Sequence, residues 1–170
     1  MGVRARRRTA VAAVLAMTLG ACATHGIVDG VYHSPSGYRV TLPGEAWQVA
    51  PEARADLELR NRTAPAGMLA NAVCDPAIAR RGWDVLALQL LIEMRERTTV
   101  TADEAPVNGR TASHRVLEGR MREGNERVRV ESYTLKVEPC VYDLLYVASP
   151  EVFETWRGDF QRFVASFAGE

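Results

Sequence analysis

CVYDLLYVASPEVFETWRGDFQRFVASF, residues 140–167, is the stretch from which the fold can be read. Its first nine residues, Cys140 to Ala148, carry apolar side chains on both faces of an extended chain. A strand of that kind belongs in the middle of a sheet covered on both sides. Ser149-Pro150-Glu151 follows as a helix start: a capping hydroxyl, a proline in the first turn and a carboxylate at the positive end of the helix dipole. Phe153, Trp156, Phe160, Phe163, Val164 and Phe167 then line one side of a closing helix. All four phenylalanines of the chain are spent there, so this helix is a main contributor to the core.

Upstream, the residues read mostly as antiparallel strands. Val31–His33, Tyr38–Leu42 and Trp47–Val49 are short extended pieces separated by Ser34-Pro35-Ser36-Gly37 and Pro43-Gly44, with Trp47 as a core anchor. Asp56 to Arg60 alternates, with Leu57 and Leu59 inward, and Met68 to Val73 leads to Cys74. A helix is expected from Asp84, as N-cap, to Arg97, because Trp83, Leu86, Ala87, Leu90, Leu91 and Met94 fall on one stripe. Asn108-Gly109 marks a hairpin leading into Arg110–Leu117, where Ala112, His114 and Val116 share a face. Arg127 to Val137 is a long strand whose apolar phase is even at Val128 and Val130 but odd at Tyr133, Leu135 and Val137. That shift predicts a β-bulge near Ser132. The fold class is therefore α+β, an antiparallel β-sheet flanked by helices.

The start of the chain has a different grammar. Arg4, Arg6, Arg7 and Arg8 precede an apolar run from Thr9 to Leu19, too short to span a bilayer but suited to the core of an export signal. Leu19-Gly20-Ala21-Cys22 then resembles the bacterial lipobox, which implies cleavage before Cys22 and lipid on its thiol and new amino terminus. Two or three buried acyl chains give stable anchoring where one would not. Ala23 follows the cysteine, and in enterobacteria that favours sorting to the outer membrane. Met1-Gly2 lacks the Ser or Thr at position 6 that myristoylation needs, and Arg7-Arg8 lacks the context of a twin-arginine signal. Residues 1–21 are thus a lipoprotein signal peptide, residues 22–30 a tether and residues 31–170 a single domain. The expected location is the bacterial cell envelope, lipid-anchored, at the outer membrane and facing the periplasm.

Removing the leader changes the charge. Four of the 21 basic residues go with it, leaving 17 against 21 acidic residues, a net charge near −4. A mildly acidic domain is poorly suited to gripping phosphates, so nucleic acid is not expected as a partner. With Cys22 lipidated, Cys74 and Cys140 remain as a pair, both at strand ends, in an oxidising compartment. A disulfide is favoured over two buried free thiols. Among the histidines, His114 lies in a strand and reads as a packed residue in preference to a catalytic base. Arg60, Arg62, Arg80 and Arg81 offer a basic patch or simply solvated arginines. No H-E-x-x-H, G-x-S-x-G, C-x-x-C or phosphate-binding glycine loop occurs, so no catalytic residue, cofactor or metal is expected.

Gly37-Tyr38-Arg39-Val40-Thr41-Leu42-Pro43, with Trp47 shortly after, resembles the opening of PsbP-like domains, and Phe163-Val164-Ala165-Ser166-Phe167 resembles their close. The resemblance covers about 130 residues and rests on pattern. It implies an α/β/α sandwich around an antiparallel sheet, shared with Mog-type Ran-binding proteins. It also implies a role in binding partners and assisting assembly, as the extrinsic subunits of photosystem II do. The expected function is a membrane-anchored, non-catalytic binding or assembly module, held through lipid on Cys22 and with an envelope protein as partner. The alternative is a small-ligand carrier or an accessory lipoprotein of an envelope transport system.

Overall fold

The computed structural model describes residues 26–169. The leader and Cys22 lie outside the described residues. Strands β1 (Gly26–Val28), β2 (Val31–His33) and β3 (Tyr38–Thr41) begin the chain, followed by β4 (Trp47–Val49), β5 (Leu57–Asn61) and β6 (Ala66–Cys74). Two short helices come next, α1 (Pro76–Ala79) and α2 (Trp83–Leu90). A meander of β7 (Met94–Val107), β8 (Arg110–Met121), β9 (Arg127–Val137) and β10 (Cys140–Ala148) precedes helix α3 (Pro150–Ala165) and a last short strand, β11 (Ala168–Gly169).

The large sheet has the order β4-β5-β6-β10-β9-β8-β7, antiparallel throughout, so β10 is its central strand. That is the position its two apolar faces require. Even-numbered residues of β10 face α3 and join one large core with Phe153, Phe160 and Phe163, in which Phe153, Phe160 and Trp47 pack around Tyr146. The Tyr146 ring lies 5.5 Å from Phe160 and 5.0 Å from Phe153, and its hydroxyl donates to the Phe153 carbonyl at 3.0 Å. Trp47 closes the same layer by donating its indole N–H to Asp159 Oδ2 at 2.8 Å. A small sheet, β1-β2-β3-β11, covers the other end of this layer through Tyr38, Val40 and Phe167. The opposite face of the large sheet carries α1 and α2, packed over two smaller clusters centred on Leu86 with Val141 and on Leu91 with Leu117 and Val130.

Four expectations need correction. Gly26–Val28, read as tether, pairs with Val31–His33 across a turn with positive φ at Asp29 and Gly30. The helix expected over Asp84–Arg97 ends at Leu90, its N-cap is Gly82, and Met94 to Arg97 belong to β7. Residues 93–97 suit a helix locally, but pairing of Met94 with Met121 and Arg95 with Arg120 overrides that preference. Glu96 at φ 52° cannot continue a helix, and the β7 backbone passes close over Gly119, where a Cβ would sit 2.8 Å from the Arg95 carbonyl oxygen. No bulge interrupts β9 at Ser132, because its pairing with both neighbours is continuous; the register shifts lie in β7. The closing helix stops at Ala165 with Ser166 as C-cap, leaving Phe167 beyond it, and Ser149 caps the start without a side-chain hydrogen bond. Helix α1, capped by Asp75, was not anticipated. Asn108 and Gly109 do take positive φ at the β7–β8 turn.

Candidate functional site

The phase shift in β9 has a chemical cause instead of a geometric one. On the α3 face, where apolar residues would continue the odd phase, β9 places Arg129 and Glu131. Glu131 is 0% exposed. Strand register sets Asp103, His114 and Tyr133 side by side across β7, β8 and β9, with Glu131 opposite Val116 one rung away. Helix α3 lowers Arg157 onto the same spot. The Arg157 guanidinium donates from Nε to Glu131 Oε2 at 2.7 Å and from its second terminal nitrogen to Oε1 at 3.1 Å, a bidentate charge-assisted pair. His114 Nε2 lies 3.0 Å from Glu131 Oε1, and Nδ1 lies 2.7 Å from Asp103 Oδ1. Tyr133 donates to Glu131 at 3.3 Å and stacks on the imidazole with ring centroids 4.5 Å apart.

Protonation follows from these partners. Only the protonated imidazole carries a hydrogen on each ring nitrogen, so only it donates to both carboxylates at once. The Glu131 hydrogen bond is the chief cause raising the His114 pKa above 6.5, with Asp103 assisting and burial opposing. For Glu131, burial pushes the carboxyl up, but His114 and Arg157 together outweigh it and hold it at about 2. Burial first, then the neighbouring Glu131 charge, push the Tyr133 phenol up to about 12. Two carboxylates thus face two cations. The cluster ties three strands to α3, and both nitrogens of His114 are already engaged.

The remaining predicted residues are distributed elsewhere. Cys74 and Cys140 sit opposite each other on β6 and β10 and are joined by a disulfide with an S–S distance of 1.99 Å. Arg60 pairs in register with Gly67 at the start of β6, whereas Arg80 and Arg81 come after Cys74 at its other end, which lies about 23 Å from Gly67 by strand rise. These four arginines form no common patch. Lys136, the sole lysine, lies over the Trp83 ring at 4.4 Å and donates to the Arg81 carbonyl, pinning the α1–α2 corner. On the face away from α3, Asp143 accepts from Thr134 at 2.7 Å, and burial raises its carboxyl to about 6.

Two surface features are more open to a partner. Beside α2 runs a groove of about 270 Å³ edged by Asp84, Leu88, Arg97 and Arg115. Next to it Val85, Leu88 and Ile92 form an exposed ridge, with Leu88 57% and Ile92 61% exposed. At the opposite side of the molecule, Ile27 and Val28 of β1 are 46% and 42% exposed. Sequence reading missed Asp103, Glu131 and Arg157; the broken apolar phase of β9 was their only trace.

No family model matches this chain, and no curated protein matches it in sequence. Solved structures do. The solution structure of cyanobacterial PsbP (CyanoP) from Synechocystis matches with a TM-score of 0.59 at 13% identity, covering 89% of this chain and 99% of that one. LpqN of Mycobacterium tuberculosis, described as involved in cell envelope biogenesis, matches with a TM-score of 0.53 at 15% identity, over 79% of this chain and 84% of that one. PA94 of Pseudomonas aeruginosa, a protein of unknown function, matches with a TM-score of 0.52 at 10% identity, covering 73% and 81%. At such identities the likeness concerns the fold alone. This chain has a PsbP-like α+β fold.

Proposed function

We propose that the chain is a bacterial envelope lipoprotein whose folded domain is a non-catalytic binding or assembly module, anchored through lipid on Cys22. The domain faces the periplasm from the outer membrane. The observation that carries this reading is the lipobox-like Leu19-Gly20-Ala21-Cys22 placed just ahead of a PsbP-like domain. The likeness to LpqN, a protein involved in cell envelope biogenesis, supports the envelope setting. The space between the large sheet and α3 is filled by Phe153, Phe160, Phe163 and Tyr146, which supports surface binding over a carrier role.

Fractionation of cells expressing the wild type and Cys22→Ser tests it. The wild type should sediment with membranes, and the serine variant should be released or remain as uncleaved precursor without acyl label. A wild type that stays in the periplasmic extract, or a serine variant that still incorporates acyl label, contradicts the anchoring.

A further inference from the structure

We infer that the β1–β2 hairpin is the surface on which the domain rests against the lipid bilayer. This rests on the proposed lipidation of Cys22. Only residues 23–25 separate Cys22 from Gly26, the first residue of β1. Four steps of fully extended chain reach about 14 Å at most. A bilayer's interfacial layer is about 5–8 Å deep on each side of its hydrocarbon core. An anchor whose acyl chains sit in that core therefore leaves the first strand within about 10 Å of the headgroup surface at full stretch. The domain cannot stand clear of the membrane. Whatever surface surrounds β1 is the surface turned toward lipid.

The composition of that surface fits. Among the described residues, strand β1 is the outer edge of the small sheet and pairs only with β2. Its Ile27 and Val28 are adjacent large apolar side chains left nearly half exposed, and Val28 pairs in register with Val31 of β2. An uncovered apolar edge strand is a hazard that proteins ordinarily blunt with charge. Against a bilayer it becomes a contact. Side chains alternate along a strand, so Val28 shares the outer face of the small sheet with Val31, His33 and Arg39, while Ile27 lies on the other face at the sheet's open edge. Such a contact is small, and in free solution it would be weak. A short tether changes this by making the contact intramolecular, at an effective concentration in the millimolar range. The orientation has a consequence for the rest of the molecule. The small sheet lies on the α3 side of the large sheet, so the α2 ridge of Val85, Leu88 and Ile92 points away from the membrane.

The test uses the full-length lipidated protein, reconstituted in vesicles of phosphatidylethanolamine and phosphatidylglycerol with brominated acyl chains. Ile27→Trp places a reporter at the hairpin and Leu88→Trp one on α2, and the emission of the wild type is subtracted from each. Should Ile27→Trp fail to fold, Val28→Trp carries the same reading. The hairpin reporter should be quenched at least twofold relative to the α2 reporter. Equal emission from both, in protein that floats with the vesicles and carries acyl mass, overturns the docking and leaves the anchor standing. Protein without acyl mass that fails to float overturns both.

Discussion

The two faces of the large sheet are built differently. Toward α3 the sheet meets one sixteen-residue helix whose aromatic side chains fill a continuous core, and the buried carboxylate admitted there, Glu131, is paired with His114 and Arg157. Toward α2 it meets two helices of four and eight residues over smaller, separate clusters, and apolar side chains are left on the outside. One face holds the domain together. The other leaves surface to spare.

Phe160→Ala should break the first face most severely. Phe160 is fully buried between Tyr146 and Tyr133, so its removal should cost about 3–5 kcal/mol by urea unfolding. A cost below about 1 kcal/mol would mean the α3 layer is not the dominant core. Next in size is the disulfide, which closes a 66-residue separation between the two inner strands. The double change Cys74→Ser with Cys140→Ser should lose about 4 kcal/mol on the chain-entropy account. Thiol labelling unaffected by reductant would contradict the bridge itself.

The ion cluster sharpens the comparison through pH. His114 has a folded pKa above 6.5, so its stabilisation is complete below about pH 6.5 and is lost as pH rises through the folded value. Glu131 is held at about 2 against 4.5, so its stabilisation is present above pH 4.5 and is lost as pH falls toward 2. Asp143, raised from 3.8 to about 6, works against the fold as pH rises through that window, equally in wild type and variant. The Tm difference between wild type and His114→Gln should therefore shrink as pH rises from about 6 to 9. A difference that stays constant across that range would show that His114 is not charged in the fold. The smallest effect belongs to the other face: Leu88→Ser should change stability by less than about 0.5 kcal/mol.

What could be read from sequence follows the same division. Residues 140–167 were legible because a long amphipathic helix and a strand apolar on both faces each announce their surroundings locally. Cys74 and Cys140 were legible as a pair once Cys22 was set aside. Met94 to Arg97 were not, because their strand exists only through pairing with Arg120 and Met121, more than twenty residues away. Glu131 was hidden for a related reason: a buried carboxylate in a strand looks like a break in phase until His114 and Arg157, from β8 and α3, are brought to it. Gly26–Val28 looked like tether because three residues of strand carry too little pattern to be seen.

The anchor is the part of the account on which location and orientation both depend. The intact mass of the mature protein purified from membranes tests it most directly. The account predicts a chain beginning at Cys22, heavier than its amino-acid sequence by a diacylglyceryl group and, where the amine is acylated, one further chain. A mature chain of unmodified mass, or one beginning elsewhere, would contradict it.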